Sequence, residues 1–175
     1  MKFLFVLWLG VTLLPAGIIK SNAAIDKVVK ASFSNVTDVE PKQLILTKTL
    51  FTKVLSQAKA PIRTKIYRYY VIRSGSKIIG YGVLMVRTLR TKKATVLYAF
   101  DTKGRLKFSE IMAFGEPPEF VPNKQWMQLF QDKPNSAKLT MGKDIPTISG
   151  ATLSARTITE GARVAKAIYN EILRK

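Results

Sequence analysis

Four runs of residues with strand-forming composition follow one another between residues 65 and 114, and short turns separate them. The runs are rich in Val, Ile, Tyr and Phe, which favour extended backbone. They pair as Lys65–Arg73 with Lys77–Arg87 around the turn Ser74-Gly75-Ser76, and as Ala94–Phe100 with Leu106–Phe114 around Asp101-Thr102-Lys103-Gly104. Strands joined by such short turns pair in antiparallel fashion. The sequence therefore predicts an antiparallel β-meander.

Helical patterns flank the predicted meander on both sides. Upstream, a short helix is predicted over Ile25–Ala31, and a longer one over Pro41–Ala58, where Pro41 suits a first helical position. Downstream, small and branched apolar residues recur every three or four positions and predict a helix that ends near Leu173. Its apolar positions are Ile158, Ala162, Ala165, Ile168 and Ile172.

A chain of 175 residues can bury one hydrophobic core. The predicted fold is therefore α+β, a single domain in which an antiparallel β-meander packs with N-terminal and C-terminal helices. Three segments are expected along the chain. They are a signal peptide over residues 1–23, an N-terminal helical segment over 24–68 and a ligand-binding domain over 69–175.

The N-terminus has the three parts of a secretory signal. Lys2 supplies a positive start, Phe3–Ile19 is uncharged and apolar, and Ser21-Asn22-Ala23 fits a small-x-small cleavage site. The alternative is an uncleaved membrane anchor, although Pro15 and Gly17 interrupt the apolar run near its end. The interpretation as a signal predicts a bacterial protein that is periplasmic or secreted.

The chain contains no cysteine and no histidine. Their absence excludes disulfides, lipid attachment to cysteine, and catalysis by Ser-His-Asp or Cys-His arrangements. It also excludes most transition-metal sites, which depend on these two ligands. Any redox chemistry must therefore reside on a bound organic cofactor.

The chain is strongly basic, with 29 Lys and Arg against 11 Asp and Glu and a formal charge of +18. A charge of this size attracts anionic partners over long distances. No nucleic-acid recognition motif is present, so nucleic acid is not the expected partner. The candidate partners are an anionic membrane surface and an acidic protein. The alternative is that the basic surface is only solvated and binds no partner.

The segment Ser149-Gly150-Ala151-Thr152 precedes the C-terminal helical pattern. Gly150 can adopt positive φ, and a helix N-terminus offers N–H groups that suit a phosphate. The same residues also fit an ordinary turn and cap. In that interpretation Thr157 and Glu160 form a capping box, and regular helix begins at about Ile158.

With Leu153-Ser154 after it and Gly142-Lys143-Asp144-Ile145 before it, this segment resembles the flavinylation motif of the covalent FMN-binding domain. That family includes periplasmic flavin subunits of the sodium-pumping NADH:quinone reductase and Rnf complexes, and small secreted proteins. The resemblance implies that FMN is joined through a phosphodiester to Thr152 by a magnesium-dependent flavin transferase that uses FAD. The cofactor-binding residues it implies are Ser149, Gly150, Ala151, Thr152, Leu153 and Ser154.

One departure from the family pattern concerns an acidic residue. The common motif is D-x-x-[ST]-G-A-T, but Pro146 occupies the position of that Asp, and Asp144 lies two residues earlier. The departure bears on modification of Thr152 more than on the fold.

The resemblance extends from about Tyr69 to Leu173 and includes two further features. Glu116, in Gly115-Glu116-Pro117-Pro118, either approaches the edge of the flavin or belongs to a proline-rich surface loop. Trp126 and Phe130 lie four residues apart, on one face of a helix, and either pack in the core or stack on the flavin.

Two functions from different classes follow. The first is a periplasmic flavoprotein that carries FMN and relays electrons between redox partners, soluble or membrane-bound, as a carrier more than a turnover enzyme. The second is a basic docking module, without flavin or with FMN bound non-covalently, that binds an anionic membrane or an acidic protein.

Overall fold

The computed structural model describes residues 23–174 of the chain. The predicted signal over residues 1–23 lies outside this range except for Ala23. The helices are α1 (Ala23–Ser32), α2 (Lys48–Ala58), α3 (Lys124–Gln128) and α4 (Thr152–Ile168). The strands are β1 (Asp38–Ile45), β2 (Ile66–Ser74), β3 (Lys77–Thr88), β4 (Lys93–Asp101) and β5 (Leu106–Phe114). A single 3₁₀ turn spans Pro118–Phe120, and a π-helical turn, Tyr169–Leu173, continues α4.

The five strands form one antiparallel sheet in the order in which they occur along the chain. This confirms the predicted meander and the α+β class. The predicted start of the ligand-binding domain at residue 69 falls inside β2. Residues 24–68 therefore contribute a strand to the same sheet.

The prediction of one helix over Pro41–Ala58 is wrong. Residues 38–45 form β1, which pairs with β2 from Asp38 opposite Arg73 to Ile45 opposite Ile66. Because β1 is an edge strand, Pro41 can occupy it even though proline has no N–H to donate. The helical part of the pattern is confined to α2, which begins after Thr47, whose hydroxyl accepts a hydrogen bond from the Leu50 N–H at 3.3 Å.

Helices cover the two faces of the sheet unequally. On one face α1 packs through Ile25 and Val29 against Ile72, Leu97 and Phe108, which confirms the predicted short N-terminal helix. On the other face α2 and α4 cover a larger core. Helix α4 is the element that places the Ser149–Thr152 segment, since its first residue is Thr152.

The capping box predicted at Thr157 and Glu160 is wrong, because α4 begins six residues before Ile158. Glu160 instead accepts a hydrogen bond from Arg87 of β3 at 2.9 Å. The same guanidinium donates to the carbonyl of Pro61 at 3.1 Å. Arg87 therefore joins β3, α4 and the segment that follows α2.

Tyr98 of β4 makes a buried contact with the middle of α4. Its hydroxyl donates a hydrogen bond to the carbonyl of Ile158 at 2.7 Å. Burial, the largest influence, raises the pKa of the Tyr98 hydroxyl far above its usual range, so the group stays protonated and can donate. Gly161, one turn along α4, lets the hydroxyl approach, because a Cβ there would lie 2.9 Å from it.

We expect Gly161→Ala to destabilise the protein by about 1–2 kcal/mol through overpacking against Tyr98. Inside a helix without such a contact, a change from glycine to alanine usually raises the stability by about 1 kcal/mol. Tyr98→Phe removes both the contacting oxygen and its hydrogen bond, and costs about 1 kcal/mol alone. In that background Gly161→Ala should be neutral or stabilising. Urea denaturation of the four proteins measures the coupling, and strictly additive effects would contradict the proposed contact.

None of the helices within residues 23–174 is both long enough and apolar enough to cross a membrane.

Candidate functional site

The segment before α4 forms a tight turn at the helix N-terminus, as predicted. Gly150 has φ +78°, and the N–H of Ala151 donates to the carbonyl of Ile148 at 3.1 Å. A Cβ added at Gly150 would have no atom within 4 Å, so the space above the turn is open. The chain reverses at Gly150 and enters α4 at Thr152.

The side chains of this segment divide into an exposed and a buried group. Ser149, Gly150, Thr152 and Leu153 are exposed, the last with 40% of its surface accessible. Ala151 and Ser154 are buried, with Ser154 only 2% exposed. Because the Ser154 hydroxyl faces the interior, the accessible hydroxyls are those of Ser149 and Thr152.

The Thr152 hydroxyl is oriented by the turn. It donates a hydrogen bond to the carbonyl of Ile148 at 3.2 Å. Its proton is therefore directed back into the turn, while the residue itself is exposed to solvent. The arrangement places an exposed, oriented nucleophilic oxygen on the first residue of a 17-residue helix.

The N-terminus of α4 differs from those of α2 and α3. Thr47 and Asn123 cap the earlier two helices with side-chain hydrogen bonds, whereas no described side chain caps α4. The first turn of a helix leaves backbone N–H groups without helical partners, and its dipole is positive at this end. The first turn of α4 contains no acidic residue, and the next turn carries the exposed Arg156. This end of α4 therefore has the electrostatics of an anion site.

The segment that leads into the turn is attached to the core by Trp126. The indole Nε1 donates to the carbonyl of Pro146 at 2.9 Å. The indole also packs edge-on against Phe130, with ring centroids 5.3 Å apart, and both side chains are buried. This confirms the interpretation of the pair as core residues, and it makes Trp126 a support for the turn.

Asp144 closes a separate local turn. One of its carboxylate oxygens accepts a hydrogen bond from the N–H of Thr140 at 2.8 Å, and this bond is the main reason that the pKa of Asp144 is lowered. The carboxylate is exposed and lies before Pro146, at the shifted position noted in the sequence. Its contact is with the backbone of its own loop.

Glu116 organises the turn between β3 and β4. A single oxygen, Oε1, accepts hydrogen bonds from the backbone N–H groups of Lys92, Thr91 and Arg90, at 2.7, 2.8 and 3.0 Å. The Lys92 bond, with the other two, holds the pKa of Glu116 below its usual range. The residue is 9% exposed. Contact between Glu116 and flavin stays a prediction, and its Oε1 already has a structural role.

We expect Glu116→Gln to lower the melting temperature and to flatten its pH dependence in acid. A carboxyl group with a lowered pKa stabilises the fold above its unfolded-state pKa, and this contribution is lost as the pH falls through the folded-state pKa. The wild type should therefore lose more stability than the variant between about pH 5 and pH 3. Thermal unfolding at a series of pH values tests this, and parallel curves for the two proteins would contradict it.

Comparison with known families adds the identity of the ligand. Residues 91–167 match the sequence model of a family described as the FMN-binding domain. This segment is an FMN-binding domain. It extends from the β3–β4 turn to the end of α4 and contains Glu116, Trp126 and Thr152. A search of curated proteins found no significant match to the chain.

The match to residues 91–167 supports the FMN-binding domain family indicated by the sequence, and with it a flavin-binding protein that has FMN as cofactor. The turn before α4 fits one part of FMN well, its phosphate, because an exposed hydroxyl and an uncapped helix N-terminus occur together there. Sequence analysis missed the Arg87–Glu160 pair and the Tyr98–Gly161 contact that hold α4. Neither has a local sequence signal, because Arg87 lies 73 residues before Glu160, and Tyr98 lies 60 residues before Ile158, the residue of α4 to which its hydroxyl donates.

Proposed function

We propose that this protein carries FMN joined through a phosphodiester to Thr152 and relays electrons outside the cytoplasm. The observation that carries the proposal is the exposed Thr152 hydroxyl on the first residue of an uncapped helix, within an FMN-binding domain. Ser149, Gly150 and Leu153 surround it on the surface, while Ala151 and Ser154 anchor the turn from inside.

Attachment is a phosphoryl transfer that a flavin transferase catalyses with Mg²⁺ and FAD. The Thr152 oxygen forms a bond to the flavin-side phosphorus of FAD, the pyrophosphate bond breaks, and AMP leaves. The hydroxyl proton passes to a base of the transferase. The open space above Gly150 gives the transferase access to the threonine. The N–H groups at the start of α4 and Arg156 favour the charge that remains on the phosphodiester.

When bound, FMN supplies the redox chemistry. The chain supplies attachment, orientation and a basic surface, and it has no cysteine or histidine to take part in electron transfer. A covalent bond suits a protein beyond the cytoplasmic membrane, where a dissociated cofactor would be lost. The N-terminal signal pattern supports that location.

Co-expression with a magnesium-dependent flavin transferase tests the proposal. The purified protein should be yellow, keep its flavin absorbance after denaturation and gel filtration, and gain the mass of FMN less one water. Dithionite should bleach the absorbance, and air should restore it. Colour that is lost on denaturation would replace the covalent proposal with non-covalent binding of FMN.

The binding partner of the protein is proposed from the basic charge of the chain. An excess of basic residues, 29 against 11 acidic ones, attracts an acidic redox protein or an anionic membrane surface. The same excess favours the second candidate function, a basic docking module. Because screening weakens such attraction, binding to vesicles with anionic lipid or to an acidic protein should decrease between about 0.05 and 0.5 M salt. If Thr152→Val abolishes electron relay but leaves this docking intact, the carrier function is supported over the docking module.

A further inference from the structure

A cavity of about 480 Å³ lies on the part of α4 far from Thr152. Its walls are the end of α2, the loop over residues 135–140 and the second half of α4. A volume of this size accommodates a small molecule. The lining residues are Gln57, Ala58, Lys59, Asn135, Ser136, Lys138, Thr140, Arg163, Lys166, Ala167 and Asn170.

The lining of this cavity, the α2–α4 pocket, is positively charged. It includes the four cationic residues Lys59, Lys138, Arg163 and Lys166, and it includes no aspartate or glutamate. The remaining polar residues are amides and hydroxyls. Cations that converge on a concave site attract anions, and here the four cations outnumber the two carboxylates bonded to lining residues, Asp144 to Thr140 and Glu171 to Gln57.

Two of the four cations are fixed in place by backbone carbonyls. A guanidinium nitrogen of Arg163 donates to the carbonyl of Lys59 at 2.6 Å. The ammonium of Lys166 donates to the carbonyls of Asn135, at 3.0 Å, and Ala137. Within residues 23–174 neither side chain forms an ion pair with a carboxylate. Neither of these two positive charges at the pocket wall is therefore neutralised by a direct ion pair.

The environment of Lys166 shows what an anion would change. Burial, and then the nearby charge of Arg163, lower the pKa of the Lys166 ammonium, and the charge of Asp144 partly opposes them. A bound anion would oppose both effects by supplying a negative charge beside two cations.

We propose that the α2–α4 pocket binds the phosphate group of a ligand. A phosphate matches the charge of the pocket, and its oxygens accept hydrogen bonds from Lys, Arg, amide and hydroxyl donors together. The site is distinct from the flavin attachment site, because Arg163 lies 11 residues after Thr152, about 16 Å along α4. The proposal stands whether or not Thr152 carries FMN.

The test uses pyrophosphate and inorganic phosphate as probes. Calorimetric titration of the wild type should give saturable binding of pyrophosphate, and pyrophosphate should raise the melting temperature more than chloride of equal ionic strength. The double variant Lys59→Glu/Lys138→Glu should bind at least tenfold more weakly. Both side chains are exposed and neither has a hydrogen bond or ion pair in the described structure, so the fold should be retained.

The matched control is Lys77→Glu/Lys124→Glu, which changes the total charge equally. Lys77 begins β3 and Lys124 begins α3, and neither lines the pocket. Binding by the control at wild-type strength supports the pocket. Equal weakening in both variants, or the same response to chloride, would show a general charge effect and overturn the proposal.

A second arm identifies the source of the phosphate. Co-sedimentation with vesicles that contain phosphatidic acid is compared with vesicles of neutral lipid, for the wild type and both double variants. Binding that the pocket variant alone loses assigns the site to a lipid headgroup. Binding of free pyrophosphate, together with vesicle binding unaffected by the pocket variant, assigns it to a soluble phosphate. If the pocket variant keeps both pyrophosphate binding and vesicle binding, the proposal is also overturned.

Discussion

Thr152→Val should abolish covalent attachment of FMN, leaving a protein of unmodified mass that is colourless after denaturation. Valine keeps the branched shape of threonine but has no oxygen to form the ester. Since residue 152 is exposed, the substitution should change the free energy of unfolding of the protein by less than about 1 kcal/mol. Intact-mass spectrometry after co-expression with the transferase measures the loaded fraction directly.

Three controls separate the hydroxyl of Thr152 from its neighbours. Thr152→Ser keeps the nucleophile and should still accept FMN. Ser149→Ala and Ser154→Ala remove, respectively, an exposed and a buried hydroxyl of the same segment, and both variants should become loaded. FMN found on Thr152→Val would place the attachment elsewhere, and failure of Ser149→Ala alone would indicate Ser149 as the acceptor.

Glu160→Ala should destabilise the protein by about 3 kcal/mol, because it leaves the positive charge of Arg87 buried without its partner. The Arg87 side chain is 6% exposed, and the partner carboxylate, at 24%, is only partly accessible to water. The remaining contact of the guanidinium, with the carbonyl of Pro61, does not neutralise the charge. Chemical denaturation measures the loss.

Removing both charges should be less harmful than removing one. Arg87→Met/Glu160→Met replaces the pair with apolar side chains of similar length, and it should recover more than half of the stability lost in Glu160→Ala. Glu40→Ala is the surface control, since Glu40 pairs with Lys42 where both side chains are about 40% exposed, and it should cost less than about 1 kcal/mol. A loss in the double variant equal to that in Glu160→Ala would show that the charge is not the cause.

The stability of α4 bears on attachment because Thr152 is the first residue of this helix. Arg87 and Tyr98 hold its middle turns on the sheet, and Trp126 holds the segment before it. Glu160→Ala should therefore accept FMN more slowly near its melting temperature, while at low temperature its final loaded fraction should match the wild type.

The sequence by itself determined those features that depend on neighbours along the chain. Strand-forming composition and turn residues placed the ends of β2 to β5 within one residue, because hairpin pairing is local. The turn at Gly150 before a helix, and the motif around Thr152, were likewise readable, since glycine at positive φ and a helix start are local signals.

Only the tertiary structure decided what distant residues do. Asp38–Ile45 became a strand because β2 offered an edge, which overrode the preference of Pro41 for the start of a helix. Glu116 met the N–H groups of the β3–β4 turn, and Glu160 met Arg87 instead of capping a helix. These contacts join residues 24 to 73 positions apart, and no periodic pattern encodes them, because they depend on how the sheet and α4 are brought together.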